Sequence, residues 1–138
     1  MYKFHALKLH RIFLTALLAM IALTLVACGA KGPTVTVVNV SLSEYKIVLD
    51  KTSIPAGPVK FVINNTGALT HAFVLEPVGA RNEPFELNGK KSEVKEIQLG
   101  QTATLEWTID GAGEYQLTCY TPGHFEQGMM TTFTVTAP

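Results

Sequence analysis

From residue 34 onward the apolar positions recur at period two in short runs, and turn-forming residues separate the runs. Residues 34–42 and 45–49 are rich in Val and Ile; residues 59–64, 70–76, 94–99, 102–109, 114–119 and 129–136 continue the pattern. Alternation of this kind sends successive side chains to opposite faces of a strand. Short strands at regular spacing between turns predict an all-β, Greek-key β-sandwich of about eight strands. The segment Ile54-Pro-Ala-Gly-Pro58 reads as a turn, because neither proline can donate to a central ladder. Asn64-Asn-Thr-Gly67 and Asp110-Gly-Ala-Gly113 are turns by composition. Residues 77–91, with Gly79, Pro84 and Gly89, read as the long connection that a Greek key requires, with room for one helical turn.

The first 33 residues follow a different pattern. Lys3, Lys8 and Arg11 fall within residues 1–11, which carry no acid, and residues 12–27 are almost wholly apolar. A basic start, an apolar core and a small residue at its end describe a secretory signal peptide. The apolar run is shorter than the roughly 20 residues that a membrane-spanning helix needs. It stops at Leu25-Val-Ala-Cys28, a tetrapeptide that resembles a bacterial lipobox. That resemblance implies that Cys28 is acylated, becomes the first residue of the mature chain and tethers it to the outer face of the cell membrane or within the periplasm. The plainer alternative is an ordinary signal peptide followed by a chance cysteine. The expected organisation is a signal peptide over residues 1–27, a lipidated Cys28 with a short linker over 28–33, and one folded domain over 34–138. Extended, that linker reaches only roughly 20 Å.

Charge removes some functions from consideration. Formal net charge is zero, so nothing electrostatic points to nucleic acid. Removal of residues 1–27 takes away three cations and no acid, leaving eight Lys and Arg against eleven Asp and Glu. If Cys28 is acylated, Cys119 is the only remaining thiol and no intramolecular disulfide can form. A lone thiol outside the cytoplasm is open to oxidation unless it is employed, and metal ligation would employ it. The bland alternative is a small buried hydrophobe.

One stretch carries the chemistry. In Gly113-Glu-Tyr115-Gln-Leu-Thr-Cys119 a strand ends at a cysteine; Pro122-Gly123 turns the chain; His124 follows; Gly128 turns it again; and Met129-Met130 starts the next strand. Cys119, His124 and Met129 are evenly spaced, with four residues between neighbours. Thiolate, imidazole and thioether form a soft donor set that suits copper, and the His₂Cys site with a long axial Met is the blue-copper arrangement. The second imidazole is available from His71, since His71 and His124 are the only histidines after residue 28. If Met129 faces a metal, period two turns Met130 away. Zinc sites use His, Cys and carboxylate, and thioether matches them poorly. A binuclear copper centre needs a second loop cysteine, and multicopper oxidase chemistry needs further histidines; the chain has neither. A Cys-His nucleophile pair is formally possible, but no orienting third residue or oxyanion element accompanies it.

The motifs together resemble those of a single-domain cupredoxin of the plastocyanin, azurin and auracyanin type. The resemblance rests on His71 after an Asn-x-Gly turn, on Gly113-x-Tyr115-x-x-x-Cys119, and on Pro122-Gly123-His124 with Gly128-Met129. It implies one copper ion, with His71, Cys119 and His124 as equatorial ligands and Met129 as the axial one. It also implies one-electron transfer between redox partner proteins, without substrate turnover, and an apolar rim of Pro122, Gly123 and Phe125 against which a partner docks. The competing class is a copper carrier that delivers or sequesters the ion. One departure stands out: many members have Asn directly after the first histidine, whereas this chain has Ala72, whose side chain donates nothing. Outer hydrogen bonds orient metal ligands, so the rigidity and potential of the site depend on what replaces that donor.

Overall fold

The computed structural model describes residue 32 and residues 34–138. The expected signal peptide, the expected acylation site Cys28 and most of the expected linker lie outside the described residues. Among the described residues there are eleven strands: β1 (Thr36–Ser43), β2 (Lys46–Leu49), β3 (Ser53–Pro55), β4 (Gly57–Asn65), β5 (His71–Pro77), β6 (Glu86–Leu87), β7 (Lys90–Lys91), β8 (Glu93–Ile97), β9 (Thr102–Ile109), β10 (Gly113–Thr118) and β11 (Met130–Thr136). They form a four-stranded sheet in the order β2-β1-β4-β9, a five-stranded sheet in the order β3-β11-β10-β5-β8, and a separate β6-β7 hairpin. The β1–β4 and β11–β3 pairs are parallel, and the other pairs are antiparallel. The fold is the all-β sandwich that the alternating pattern predicts.

Period two fills the space between the sheets. Val38, Val40 and Leu42 of β1 and Val59, Phe61 and Ile63 of β4 are buried from one side; Phe73 and Leu75 of β5, Leu117 of β10, and Phe133 and Val135 of β11 are buried from the other. Phe61 joins the layers, with its ring centroid 5.3 Å from that of Phe73 and 6.0 Å from that of Phe133. Burial of each such aromatic side chain is worth about 1.5–3 kcal/mol. At the foot of β10 the Tyr115 hydroxyl donates to the Gly111 carbonyl at 2.9 Å, pinning the turn before the strand.

The structure corrects two expectations. The segment read as a turn contains an edge strand, Ser53–Pro55, that pairs with β11, while Pro58 lies inside β4. Pro58 is tolerated because β4 has only β9 beside it there; pairing with β1 begins at Val59. A proline costs a sheet nothing where no neighbour seeks its N–H. The long connection holds no helical turn: it folds back as the β6–β7 hairpin around Asn88 and Gly89, with φ of 52° and 77°. Two central residues at positive φ are what a two-residue hairpin needs, and Asn-Gly supplies them at little steric cost.

Candidate metal centre

One end of the sandwich gathers the predicted donors. His71 opens β5 and shares its inward face with Phe73 and Leu75, although a register shift interrupts the β5–β8 ladder between His71 and Phe73. Cys119 immediately follows β10 and is wholly buried, as are His71 and Met129; His124 is 5% exposed. Met130 is exposed, which is the opposite facing expected of it.

The loop between Cys119 and Met129 is held by its own backbone. Thr121-Pro122-Gly123-His124 is a tight turn, with the His124 amide donating to the Thr121 carbonyl at 2.9 Å and Gly123 at φ 84°. Proline followed by a residue at positive φ is the signature of a type II turn. Next, the Met129 amide donates to the His124 carbonyl at 3.0 Å and the Gly128 amide to the Phe125 carbonyl at 2.9 Å, with Gly128 at φ 85°. Those two bonds around a left-handed glycine are the Schellman arrangement that ends a helical turn. The Cys119 amide then donates to the Met129 carbonyl at 3.1 Å, closing the loop at its neck.

The resulting donor geometry is compact. His71 Nδ1 and His124 Nδ1 are 3.1 Å apart; Cys119 Sγ is 3.5 Å from His124 Nδ1 and 4.0 Å from His71 Nδ1. A point equidistant from those three atoms lies about 2.1 Å from each, which matches imidazole and thiolate bonds of about 2.0–2.3 Å to a small transition-metal ion. Among the described residues no fourth His, Cys, Asp or Glu joins the cluster. The buried Met129, bonded through its backbone to both Cys119 and His124, is the thioether at hand. A thiolate, two imidazoles and a thioether suit copper better than zinc.

Hydrogen bonds around the donors come from unexpected places. The Ala72 backbone N–H donates to Cys119 Sγ at 3.2 Å, so the main chain ties the two ligand segments together where the Ala72 side chain cannot. Burial holds the His71 imidazole below its usual range, the neighbouring His124 adds to that, and the Glu44 carboxylate opposes it. His71 Nε2 is buried without a hydrogen-bond partner. Glu44 Oε1 lies 3.9 Å away and accepts from the amides of Ala68 at 2.6 Å and Leu69 at 3.1 Å. Tyr45 lies edge-on to His124, centroid to centroid 5.4 Å, at 81°.

Glu44 and Tyr45 were not singled out by the sequence pattern. They occupy the turn between β1 and β2, where charged and aromatic side chains normally face water and no periodicity marks them. The positive φ of Tyr45, 60°, is unusual for an aromatic residue and is invisible in the sequence. Of the proposed docking residues, Pro122 and Gly123 are exposed. Phe125 is half-buried, stacked 4.9 Å from the Tyr120 ring with the Arg81 guanidinium 5.3 Å from its own ring centroid. The Tyr120 hydroxyl in turn donates to the buried Glu76 carboxylate at 2.7 Å.

The fold and this donor cluster define a cupredoxin. The family model described as a cupredoxin-like domain matches residues 14–132, and the chain belongs to that family. It is 32% identical over 114 residues to the copper-resistant cuproprotein CopI of Vibrio cholerae serotype O1, an alignment covering 75% of this chain and 66% of that protein. Among solved structures, auracyanin B superposes with a TM-score of 0.62 at 22% identity, over 75% of this chain and 90% of that one. Auracyanin A, a "blue" copper protein from the green thermophilic photosynthetic bacterium Chloroflexus aurantiacus, superposes with a TM-score of 0.55 at 18% identity, over 76% and 100%. At those identities the two auracyanins bear on the fold alone.

Proposed function

We propose that the protein binds one copper ion through His71, Cys119, His124 and Met129 and carries single electrons between redox partner proteins. The observation that carries this reading is the triangle of two imidazole nitrogens and one thiol sulfur, with sides of 3.1, 3.5 and 4.0 Å, around a point of bonding distance. Copper would supply there a one-electron couple between its cuprous and cupric states. The chain's own residues supply rigidity. Cys119 and Met129 are joined across the loop neck, His124 is locked between two glycine turns, and His71 is built into a strand. Donors that cannot move far keep the cost of changing oxidation state low. The reading is of a carrier rather than an enzyme.

A second reading, a copper carrier that sequesters or delivers the ion, draws support from the name of the Vibrio cholerae relative. The spectrum of the copper-loaded protein separates the two. Electron transfer predicts an intense blue cupric form that ascorbate bleaches and oxidant restores, and Cys119→Ser removes the colour. A colourless protein that yields cuprous ion readily to a chelator supports the carrier and overturns the electron-transfer reading. The export signal and the lipobox-like Leu25-Val-Ala-Cys28 support a chain tethered outside the cytoplasm with membrane-associated partners. Growth with labelled fatty acid tests this: label should enter the wild-type protein and be absent from Cys28→Ser.

A further inference from the structure

The two imidazole rings present the same problem from opposite ends. His71 Nδ1 and His124 Nδ1 face each other at 3.1 Å. Both Nδ1 atoms converge on one point, so a metal can be held there by both rings only if each turns its Nδ1 lone pair inward. A neutral imidazole holds a single proton, on one nitrogen or the other. If His71 carried it on Nδ1, its donor atom would be blocked and Nε2 would be a bare acceptor. If His71 carries its proton on Nε2, Nδ1 is free for metal.

We infer that Glu44, in the turn between β1 and β2, makes that choice: its carboxylate receives the Nε2–H of His71 and holds the Nδ1 lone pair toward Cys119. Four observations carry it. His71 Nε2 is fully buried and has no other partner among the described residues. Glu44 Oε1 stands 3.9 Å from it, the carboxylate facing this nitrogen. A buried N–H left unsatisfied is unfavourable, which favours its pairing with this carboxylate. The carboxylate is also aimed rather than free: the amides of Ala68 and Leu69 grip its Oε1.

The fourth observation concerns Gly67. A Cβ at this buried glycine would lie 2.5 Å from Glu44 Oε1 and 3.0 Å from the Ser43 Cα. The 65–70 turn thus keeps a residue without a side chain where the carboxylate must pass. Asn65 braces the same turn, accepting from the Gly67 amide at 3.0 Å and donating to the carbonyls of Leu69 at 2.7 Å and Ile97 at 2.9 Å. Glu44 is therefore a positioning residue, acting on the metal through His71. Carboxylate partners of metal-binding imidazoles fix the tautomer and ring orientation in this way.

The inference rests on His71 being a ligand, but its first test needs no metal. Nitrogen NMR of the metal-free, ¹⁵N-labelled protein, at a pH where both imidazoles are neutral, reads the tautomer directly. The Nε2–H form of His71 should dominate in the wild type, and Glu44→Ala should shift the balance toward Nδ1–H. Glu44→Gln retains an accepting oxygen and should keep the wild-type tautomer. Gly67→Ala, which crowds the carboxylate without removing it, should behave as Glu44→Ala does. In competition with a chromogenic chelator, Glu44→Ala should weaken cuprous binding about tenfold, while Glu44→Gln stays near wild type. A wild-type His71 protonated on Nδ1 overturns the inference whether or not any variant folds, as does a tautomer balance indifferent to both Glu44→Ala and Gly67→Ala. A wild-type protein with the expected tautomer but no affinity for copper overturns the proposed function and leaves the tautomer assignment standing.

Discussion

Tyr45 decides how His124 meets the outside. Its ring stands edge-on over an imidazole that is only 5% exposed, while Tyr45 itself remains 43% exposed. An aromatic pair of this geometry is worth about 0.5–1.5 kcal/mol beyond the area it buries. Tyr45→Ala should therefore open the site and speed transfer of cuprous ion to an external chelator by up to about tenfold, measured by stopped-flow absorbance; Tyr45→Phe should match wild type. Ala72 raises a related point. Its backbone N–H already bonds to Cys119 Sγ, so Ala72→Asn keeps that bond and adds a polar side chain directly after His71. The reduction potential should move, and an unchanged voltammogram would count against this. The clustered His71, Cys119 and His124 were legible because such side chains are chemically rare in this chain. Glu44 and Tyr45 were not, because an acid and a tyrosine in a hairpin turn are ordinary until the fold brings that turn over two imidazoles.

The elements beneath the site depend on a buried carboxylate. Glu76 lies on the opposite face of β5 from His71, Phe73 and Leu75. Its Oε1 accepts from Gln116 Nε2 at 3.0 Å, Thr118 Oγ1 at 2.8 Å and the Tyr120 hydroxyl at 2.7 Å, and its Oε2 accepts from the Glu83 amide at 2.9 Å. Burial by itself would raise this carboxyl, but the four donors, Tyr120 foremost, outweigh it and hold it below its usual range. A carboxyl lowered in the folded state contributes stability that is complete above the unfolded value of 4.5 and fades as pH falls through the folded value. Glu76→Gln should cost about 1–3 kcal/mol at neutral pH and flatten the acid limb of the melting-temperature profile below pH 4.5. Gly128→Ala, at φ 85°, should cost about 1–2 kcal/mol and loosen Met129, visible as a lower denaturant midpoint. Strand existence was legible from period two. The burial of Glu76 was not, because alternation assigns residue 76 to a water-facing side, and only the fold shows that the 78–83 segment and Tyr120 cover it.

At the scale of the whole molecule, ligand and fold are linked. Copper, if held by the folded donors and not by the open chain, would stabilise by mass action, about 4 kcal/mol at a thousandfold excess over Kd. The loaded protein should melt well above the metal-free form, and Cys119→Ser should lose most of that difference in calorimetry. Two-layer architecture was readable from the spacing of the runs; strand order was not, since nothing local tells β1 to lie parallel to β4 or β3 to lie parallel to β11.

The place of β11 has a consequence for assembly. It is synthesised after the other ten strands, yet it sits inside the five-stranded sheet, between β3 and β10. Until it arrives, β10 presents a bare edge and the carbonyl of residue 129 is missing from the neck of the Cys119 loop. Contacts so distant along the chain form slowly. A chain still missing this strand therefore has an open seam along β10 and an unbraced mouth around the thiol.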